Sequence, residues 1–391
     1  MGRRVEGEAL EGLGLLDVAF PLEEVKAALA ETERASRRKR KLPAVLMVYY
    51  SIALGLMSAV GARTVLRHLL ARWRDDQIVS GPLATESAIT QARQRLGFEP
   101  LKRLFERVVR PLAPKWLKTA WYRGWHVVTL DGSTLRLLDT DANEARYGRP
   151  GSKRGTTAYP QVRLVGLLEN GTRILFAFAT GAYRVAENTL AREVIGHLRS
   201  GMLCLADRGF FGYELWDQAH ATGADLLWRI KSTIRPKNLE RLPDGSYSVR
   251  LSRGGARSRH LRLIQFTLTF KSGKKEHYRL LTTITDYRRA PAEELARLYS
   301  QRWTVETMLS ELKVGIGGPK LVLRSATPDL VEQDIYGLLL AHFGVRHEML
   351  AAARQDQLDP ADYSFAGTLA VIIRRIPEMV SFPPSAQAAL P

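Results

Sequence analysis

His126-Val127-Val128-Thr129-Leu130-Asp131-Gly132-Ser133, residues 126–133, carries the reading on which the rest of the chain depends. Val127, Val128, Thr129 and Leu130 in unbroken succession favour a strand covered on both faces. The Asp-Gly-Ser that follows turns the chain away, so a carboxylate is expected at the end of a rigid element. The same grammar returns at Met202-Leu203-Cys204-Leu205-Ala206-Asp207-Arg208-Gly209-Phe210. In open sheets ligands collect outside the strand ends, and two carboxylates there would offer hard oxygen donors suited to Mg2+. An Asp closing a strand is more often a simple turn former, so the surrounding pattern has to decide.

Working outward, strand-like runs occupy residues 126–130, 162–168 and 173–179, with Asn170-Gly171 marking a hairpin between the last two. A helical stretch at 188–198, a strand at 202–205, a helix at 213–222 and a strand at 226–230 follow. Three strands, helix, strand, helix, strand predicts an α/β fold, a ribonuclease H-like mixed sheet with helices on its faces. Residues 232–285 have a different texture, alternating and very basic, with turns at Pro243-Asp244-Gly245 and Lys271-Ser272-Gly273; they read as a β-rich insertion. Helical periodicity resumes over 291–313 and 330–350. Upstream, residues 22–33, 42–74, 85–96 and 100–109 read as helices. The expected organisation is therefore a helical N-terminal domain (1–115), a first core segment (116–231), the insertion (232–285), a second core segment (286–352) and a C-terminal tail (353–391).

Fifty-eight Lys and Arg against forty Asp and Glu give the 391 residues a formal charge of +18, which makes a polyanion, and nucleic acid first, the expected partner. A single cysteine excludes a disulfide framework and a cysteine metal cluster, and fits a reducing cytoplasm. Cys204, in an apolar run, reads as a small core residue. Residues 42–62 carry no charge and follow Arg37-Arg38-Lys39-Arg40-Lys41, the pattern of a membrane anchor with its positive flank. Pro43, Ser51, Gly55, Ser58 and Gly61, and the direct continuation into Arg63-Thr64-Val65-Leu66-Arg67, fit a buried helix better. The first twenty residues lack the basic-then-apolar order of a secretory signal. Residues 86–97 form a short helix with Gln91, Arg93, Gln94 and Arg95 on offer either to phosphates and base edges or merely to solvent.

The stretch 298–313 can be tested by arithmetic. Tyr299, Arg302, Glu306 and Lys313 are spaced by three, four and seven, and at about 100° per residue they share an arc of roughly 60° on one helix face. Leu298, Val305, Leu309 and Leu312 make a parallel apolar stripe about 80° away, so the helix can bury one edge and aim Glu306 and its cationic neighbours into a cleft. A plain Arg302–Glu306 pair on a wet face is the simpler reading, but it leaves Tyr299 and Lys313 on the same stripe without a reason.

These residues resemble a family. Tyr299-Ser300-Gln301-Arg302-Trp303-Thr304-Val305-Glu306 with Lys313 matches the Y-x2-R-x3-E-x6-K signature of bacterial insertion-sequence transposases of the IS-four group, and Asp131-Gly132-Ser133 and Asp207-Arg208-Gly209-Phe210 resemble their two catalytic Asp motifs. The resemblance extends to Leu323-Arg324-Ser325 and Tyr336-Gly337-Leu338-Leu339-Leu340-Ala341-His342. It implies a DDE transposase in which Asp131, Asp207 and Glu306 are the catalytic residues and hold two Mg2+ ions, replaceable by Mn2+, with Asp131 as the bridge. Tyr299, Arg302 and Lys313 would hold phosphates beside the scissile bond. Where relatives place a Trp that stacks on a flipped base, this chain has Tyr278, with less area to offer. Arg93 and Arg95 are further candidate DNA contacts. Arg235, Lys237, Arg250, Arg253, Arg257, Arg259, Lys271, Lys274 and Lys275 would make the insertion a clamp on end DNA. The implied partners are double-stranded DNA, as inverted-repeat ends and target, and a second copy of the chain in a homodimer on paired ends, at the nucleoid in the cytoplasm. The carboxylates alone leave open a ribonuclease H-like nuclease without strand transfer, or a transposase-derived repressor.

Overall fold

Burial of every side chain along a short strand requires layers on both faces, and the centre of the computed structural model is built around such a strand. The structure describes residues 18–38, 41–71, 82–152, 155–156, 159–252, 259–269, 273, 275–300, 302, 307–308, 310–316 and 321–376. Their contacts fall into two units, one of Leu112–Thr134 with Arg163–Thr307, the other of the chain up to Pro111, Leu135–Val162 and the chain from Met308 onward.

The first of these units holds the sheet. Strand β1 (Trp121–Tyr122) turns into β2 (Trp125–Leu137); after the two-residue strands β3 (Gly151–Ser152) and β4 (Gly155–Thr156), which pair with each other in the other unit, comes the hairpin of β5 (Gln161–Glu169) and β6 (Leu175–Ala182). Next come helix α7 (Glu187–Val194), β7 (Met202–Ala206), α8 (Tyr213–Ala221) and β8 (Asp225–Arg229). The sheet runs β6-β5-β2-β7-β8 and is the ribonuclease H-like mixed sheet that the sequence predicts. Strands β2 and β7 are parallel, with Val127 opposite Leu203, Thr129 opposite Leu205 and Leu130 opposite Ala206. All five residues of β7 are buried. Burial pushes the Cys204 thiol up to about 12, in keeping with a core residue. At the Asn170-Gly171 hairpin Gly171 has φ +84, and a Cβ there would meet Ala120 at 2.9 Å.

Two features of this unit differ from the sequence reading. β2 does not end at Asp131 but runs on to Leu137; only its pairing with β7 ends, at Leu130 and Ala206. The insertion is not a separate module. Its strands β9 (Lys237–Arg241), β10 (Tyr247–Leu251), β11 (Arg259–Thr269) and β12 (Lys275–Thr282) continue the same sheet in the order β8-β12-β11-β10-β9. The reason is local chemistry. Leu280 and Leu281 at the base of β12 are buried and pair with Arg229 and Trp228 of β8, whereas all of β9 is exposed.

The other unit is mostly helical: α1 (Leu22–Glu31), α2 (Ala44–Leu56), α3 (Ala62–Leu69), α4 (Glu86–Leu96), α5 (Glu99–Val108), α6 (Asp141–Tyr147), a π-helical turn over Glu311–Ile316, α10 (Pro328–Asp356) and α11 (Phe365–Arg375). The helix expected over 42–74 is broken, because Gly61 caps α3 in an extended conformation; residues 72–81 lie outside the described residues. Helix α2, the membrane-like run, is core: Leu46, Val48, Tyr50, Ile52 and Ala53 are 1% exposed or less. No helix among the described residues is long and apolar enough to cross a membrane. Of the segment read as a tail, the described residues 353–376 carry the end of α10 and α11, and residues 377–391 lie outside the described residues. The chain after Ser300 is not one continuous α-helix, since α9 spans Ala292–Ser300 and Glu311–Ile316 winds as a π-helix. The 100° arithmetic linking Tyr299 to Lys313 therefore does not carry through.

Arg93, expected at DNA, points inward instead. Its guanidinium donates to Gln333 Oε1 and Asp334 Oδ1, both at 2.6 Å, and to Ser325 Oγ at 3.3 Å. A half-buried fork with that many fixed acceptors joins α4 to α10. A second buried cluster fixes the π-helical turn: Arg346 Nε donates to Glu311 Oε2 at 3.0 Å, and His342 Nε2 lies 3.2 Å from the same oxygen.

Two predictions follow from this packing. A Cβ at Gly55 would sit 2.6 Å from the Gly337 carbonyl oxygen, and one at Gly337 would sit 2.5 Å from that of Ser51. Alanine normally gains about 1 kcal/mol over glycine in a helix. Here the obstacle is backbone that no rotamer can move, so overpacking of about 1–3 kcal/mol should win. Gly337→Ala is expected to lower the urea midpoint, and an unchanged or raised midpoint would show the two helices free to separate. The second concerns Glu311. Burial alone would push its carboxyl up; the His342 hydrogen bond and the Arg346 and His342 charges outweigh that and hold it at about 2. A depressed carboxyl stabilises the fold above its unfolded value near 4.5 and loses that contribution as pH falls towards 2. Glu311→Gln should flatten the stability–pH curve in that window, as read by thermal melts between pH 5 and pH 2.

Candidate active site

The β2–β7 ladder determines what stands at its end. Leu130 pairs with Ala206, so the next residues along the two parallel strands are Asp131 and Asp207, on backbones about 4.8 Å apart. Their side chains are 18% and 32% exposed, open enough to meet a ligand and buried enough to feel each other. Asp131 Oδ1 accepts the Gly132 N–H at 2.8 Å, and its Oδ2 accepts Arg302 Nη1 at 2.8 Å. Burial raises the Asp131 carboxyl above the usual range; the Gly132 N–H and Arg302 pull it down, Asp207 and Glu187 push it up, and the balance stays upward.

Tyr299, 4% exposed, donates its hydroxyl to the Ala206 carbonyl at 3.2 Å, with Asp207 Oδ1 at 3.5 Å. Burial pushes that hydroxyl well up, so it remains a donor. Its role is to hold the strand end that carries Asp207, and a direct grip on phosphate is not available to so buried a group. Arg302 lies on Asp131, beside the strand end that carries Asp207. Glu306 and the side chain of Lys313 lie outside the described residues, as do Arg253, Arg257, Lys271 and Lys274.

Tyr278 differs from its expected role. It is 6% exposed, stacked on Phe266 with centroids 5.2 Å apart, and covered by the Arg229 guanidinium at 3.9 Å. The cause is its place in β12, on the side that joins the core of Trp125, Leu205 and Leu295, so the ring is not free to receive a base. Arg95, Arg235, Lys237, Arg250 and Lys275 are exposed, while Arg259 is bound to Asp217 by an ion pair.

Three residues that the sequence reading missed stand close by. Arg229 ends β8 with its guanidinium 3.8 Å from Asp207 Oδ1 and 3.6 Å from Glu276; as the last residue of the strand beside β7, it could have been found by the same rule that picked out the Asp residues. Glu187 opens α7 and abuts Gly132, where a Cβ would lie 3.1 Å from its carboxyl carbon. Arg163 holds Glu187 at 2.6 Å. Nothing in the linear pattern signals that pair.

The donor chemistry suits a divalent cation. Two adjacent carboxylates supply hard oxygens; burial chiefly raises the Asp131 carboxyl, with Asp207 and Glu187 adding negative charge beside it, and an added cation would favour its charged form. Among the described residues no three His, Cys, Asp or Glu side chains converge, so a further ligand would have to come from outside them.

Residues 10–106 match the family described as Insertion element 4 transposase N-terminal, and residues 126–343 match the Transposase DDE domain. The chain is 30% identical over 369 residues to the transposase InsG for insertion sequence element IS4 of Escherichia coli K12, covering 90% of this chain and 80% of that protein. The chain belongs to the IS4 family of DDE transposases. InsZ of the same organism is 28% identical over 213 residues, 54% of this chain and 69% of that protein. The transposase is thus an enzyme of DNA transposition, cutting and joining DNA strands, and its DDE domain belongs to a class that uses divalent metal.

The Tyr299 hydroxyl gives this site a direct check. Removing it in Tyr299→Phe deletes one hydrogen bond of about 0.5–1.5 kcal/mol while keeping the ring in the core. End-nicking by the transposase should fall up to about tenfold, with little change in melting temperature. Full nicking activity in a well-folded Tyr299→Phe would dissociate Tyr299 from the placement of Asp207.

Proposed function

We propose that Asp131, Asp207 and Glu306 are the catalytic carboxylates of this transposase and hold two Mg2+ ions, which Mn2+ can replace, at the ends of transposon DNA. The observation that carries this reading is the parallel register, which makes Asp131 and Asp207 neighbours at the point where β2 and β7 part. When bound, the ions activate the attacking oxygen and stabilise the oxygen that leaves. Asp131, with one oxygen steadied by the Gly132 N–H, would hold the ions together with Asp207 and Glu306. Arg302, now on Asp131 Oδ2, is the nearest cation for the scissile phosphate, and Lys313 is a second. Tyr299 keeps Asp207 in place.

The chemistry is two displacements at phosphorus. In the first, water attacks the phosphodiester at the transposon boundary, a P–O bond forms, the bond to the 3′-oxygen breaks, and that oxygen leaves with a proton as a 3′-hydroxyl. In the second, this hydroxyl attacks a target phosphodiester, and the target's own 3′-oxygen departs. Inverted-repeat ends and target DNA are the substrates, and a homodimer holds paired ends. The helical residues 1–115 and the exposed cations of β9, β10 and β12, including Lys237, Arg250 and Lys275, contribute non-specific grip through phosphate neutralisation. The exposed Arg95 belongs to the same surface.

Asp131→Ala, Asp207→Ala and Glu306→Gln are each expected to abolish nicking and joining of end DNA in Mg2+ or Mn2+, with the melting temperature and most of the end affinity retained. Normal nicking in any of the three would remove that residue from the catalytic set. Affinity for end DNA should fall steeply with salt, at a log–log slope of about −0.9 per neutralised phosphate; a flat response would sink the electrostatic grip.

A further inference from the structure

We propose that the loop of residues 112–120, presenting Trp116 between Lys115 and Lys118, is a second DNA-contact surface, at the end of the β2–β7 ladder opposite the two Asp residues. It rests on the reading that DNA occupies the carboxylate end. Trp116 is 42% exposed, a large indole left in water, and Lys115 and Lys118 beside it are exposed as well.

The loop is built to hold a shape. The carboxylate of Glu169, itself 0% exposed, accepts the N–H of Leu112 at 3.0 Å and of Ala113 at 2.9 Å. Leu117 and Ala120 are buried beneath it, at 2% and 0%. The Trp121 indole N–H donates to the Pro114 carbonyl at 3.0 Å, the Lys115 ammonium lies 3.4 Å over the Trp121 ring, and Trp121 stacks on His126 at 4.4 Å. Buried carboxylate oxygens on two successive main-chain N–H groups fix the entry of the loop, and the Trp121 contacts fix its exit.

That rigidity has a consequence for binding, because a surface ordered in advance loses little conformational entropy when a partner arrives. A fixed indole face flanked by ammonium groups matches an unstacked nucleobase between two phosphates in a single-stranded flank, and stacking of that kind is tolerant of sequence. Two lysines at the edges of the indole disfavour an apolar protein partner, while the +18 charge of the chain favours a polyanion. The nearby Arg123 does not join the surface, since Glu294 holds it at 2.7 Å.

Position sets the length of DNA required. Trp121 is opposite His126, and Asp131 is five residues further along β2, roughly 16 Å at about 3.3 Å per residue. That span equals about five base-pair steps. A duplex trimmed close to the scissile bond cannot touch both places, whereas one carrying long flanking DNA can.

The test is equilibrium binding of the full chain in Mg2+-free buffer to two end duplexes, one trimmed close to the cleavage site and one extended beyond it by a single-stranded flank of roughly ten nucleotides, with nicking of the trimmed duplex in Mg2+ followed in parallel. For the extended duplex, Trp116→Ala should weaken binding roughly tenfold, with Trp116→Phe between it and the unaltered chain. Lys115→Glu with Lys118→Glu should weaken it at least as much and flatten the salt dependence by about two phosphates. Binding and nicking of the trimmed duplex, and the melting temperature, should stay unchanged. Undiminished affinity for the extended duplex, or an equal loss on both, overturns the proposal; so does a loss of self-association by light scattering without loss of DNA affinity, which would assign the surface to a second copy of the chain. Failure of the unaltered chain to nick the trimmed duplex would count against the carboxylate site alone, because the affinity comparison does not depend on cleavage.

Discussion

The register between β2 and β7 is the constraint on which the rest of the structure depends. Five consecutive main-chain pairs, from His126 with Met202 to Leu130 with Ala206, fix it. Side chains alternate faces along a strand, so a slip of one residue would turn Val127, Leu203 and their neighbours away from their layers and move Asp207 out of line with Asp131. Burial on both sides forbids that slip. The hydrophobic core and the alignment of the two carboxylates are therefore one problem, solved by the same five pairs.

Alignment of like charges carries an electrostatic cost, and the surrounding residues balance it. Arg302 stands on Asp131, Arg229 faces Asp207, and Tyr299 holds the intervening carbonyl. Glu187 adds charge of the opposite sense beside Gly132, moderated by Arg163. The result is a site whose own cations are few, fixed and directional, while its carboxylates remain crowded. Such a site favours small, strongly charged cations over diffuse ones, and it draws phosphates to the guanidinium groups that already line it.

Much of this was legible in the sequence, and the misses share a cause. Most strand runs and the Asn170-Gly171 hairpin are local signals that reappear in the structure within two or three residues, whereas β2 runs past Asp131 to Leu137, six residues beyond its expected end. Charge marks Arg93 and Arg259 as DNA contacts, and the family resemblance marks Tyr278 as a base-stacking residue; each is instead taken up by a partner on another element, Asp334, Asp217 and Phe266 respectively. No periodicity reports such pairings. Of the helix expected over 291–313, Ala292–Ser300 is α-helical, while the π-helical turn of Glu311–Ile316 changes the angle per residue and takes Lys313 off the face that α-helical spacing assigns it. The insertion was seen as a unit because its composition changes, but composition says nothing of which strand it pairs with.

The place where the sheet stops has its own significance. β9 closes one edge, and every residue of Lys237-Asn238-Leu239-Glu240-Arg241 is exposed. A sheet of this breadth ending in bare main-chain groups is a template on which further strands could add without limit. Charges at three of the five positions make that growth unfavourable, since an incoming apolar strand would have to strip water from Lys237, Glu240 and Arg241 with no partner to replace it. The same short strand that extends the basic ribbon thus also keeps a widely paired sheet from propagating from one molecule into the next.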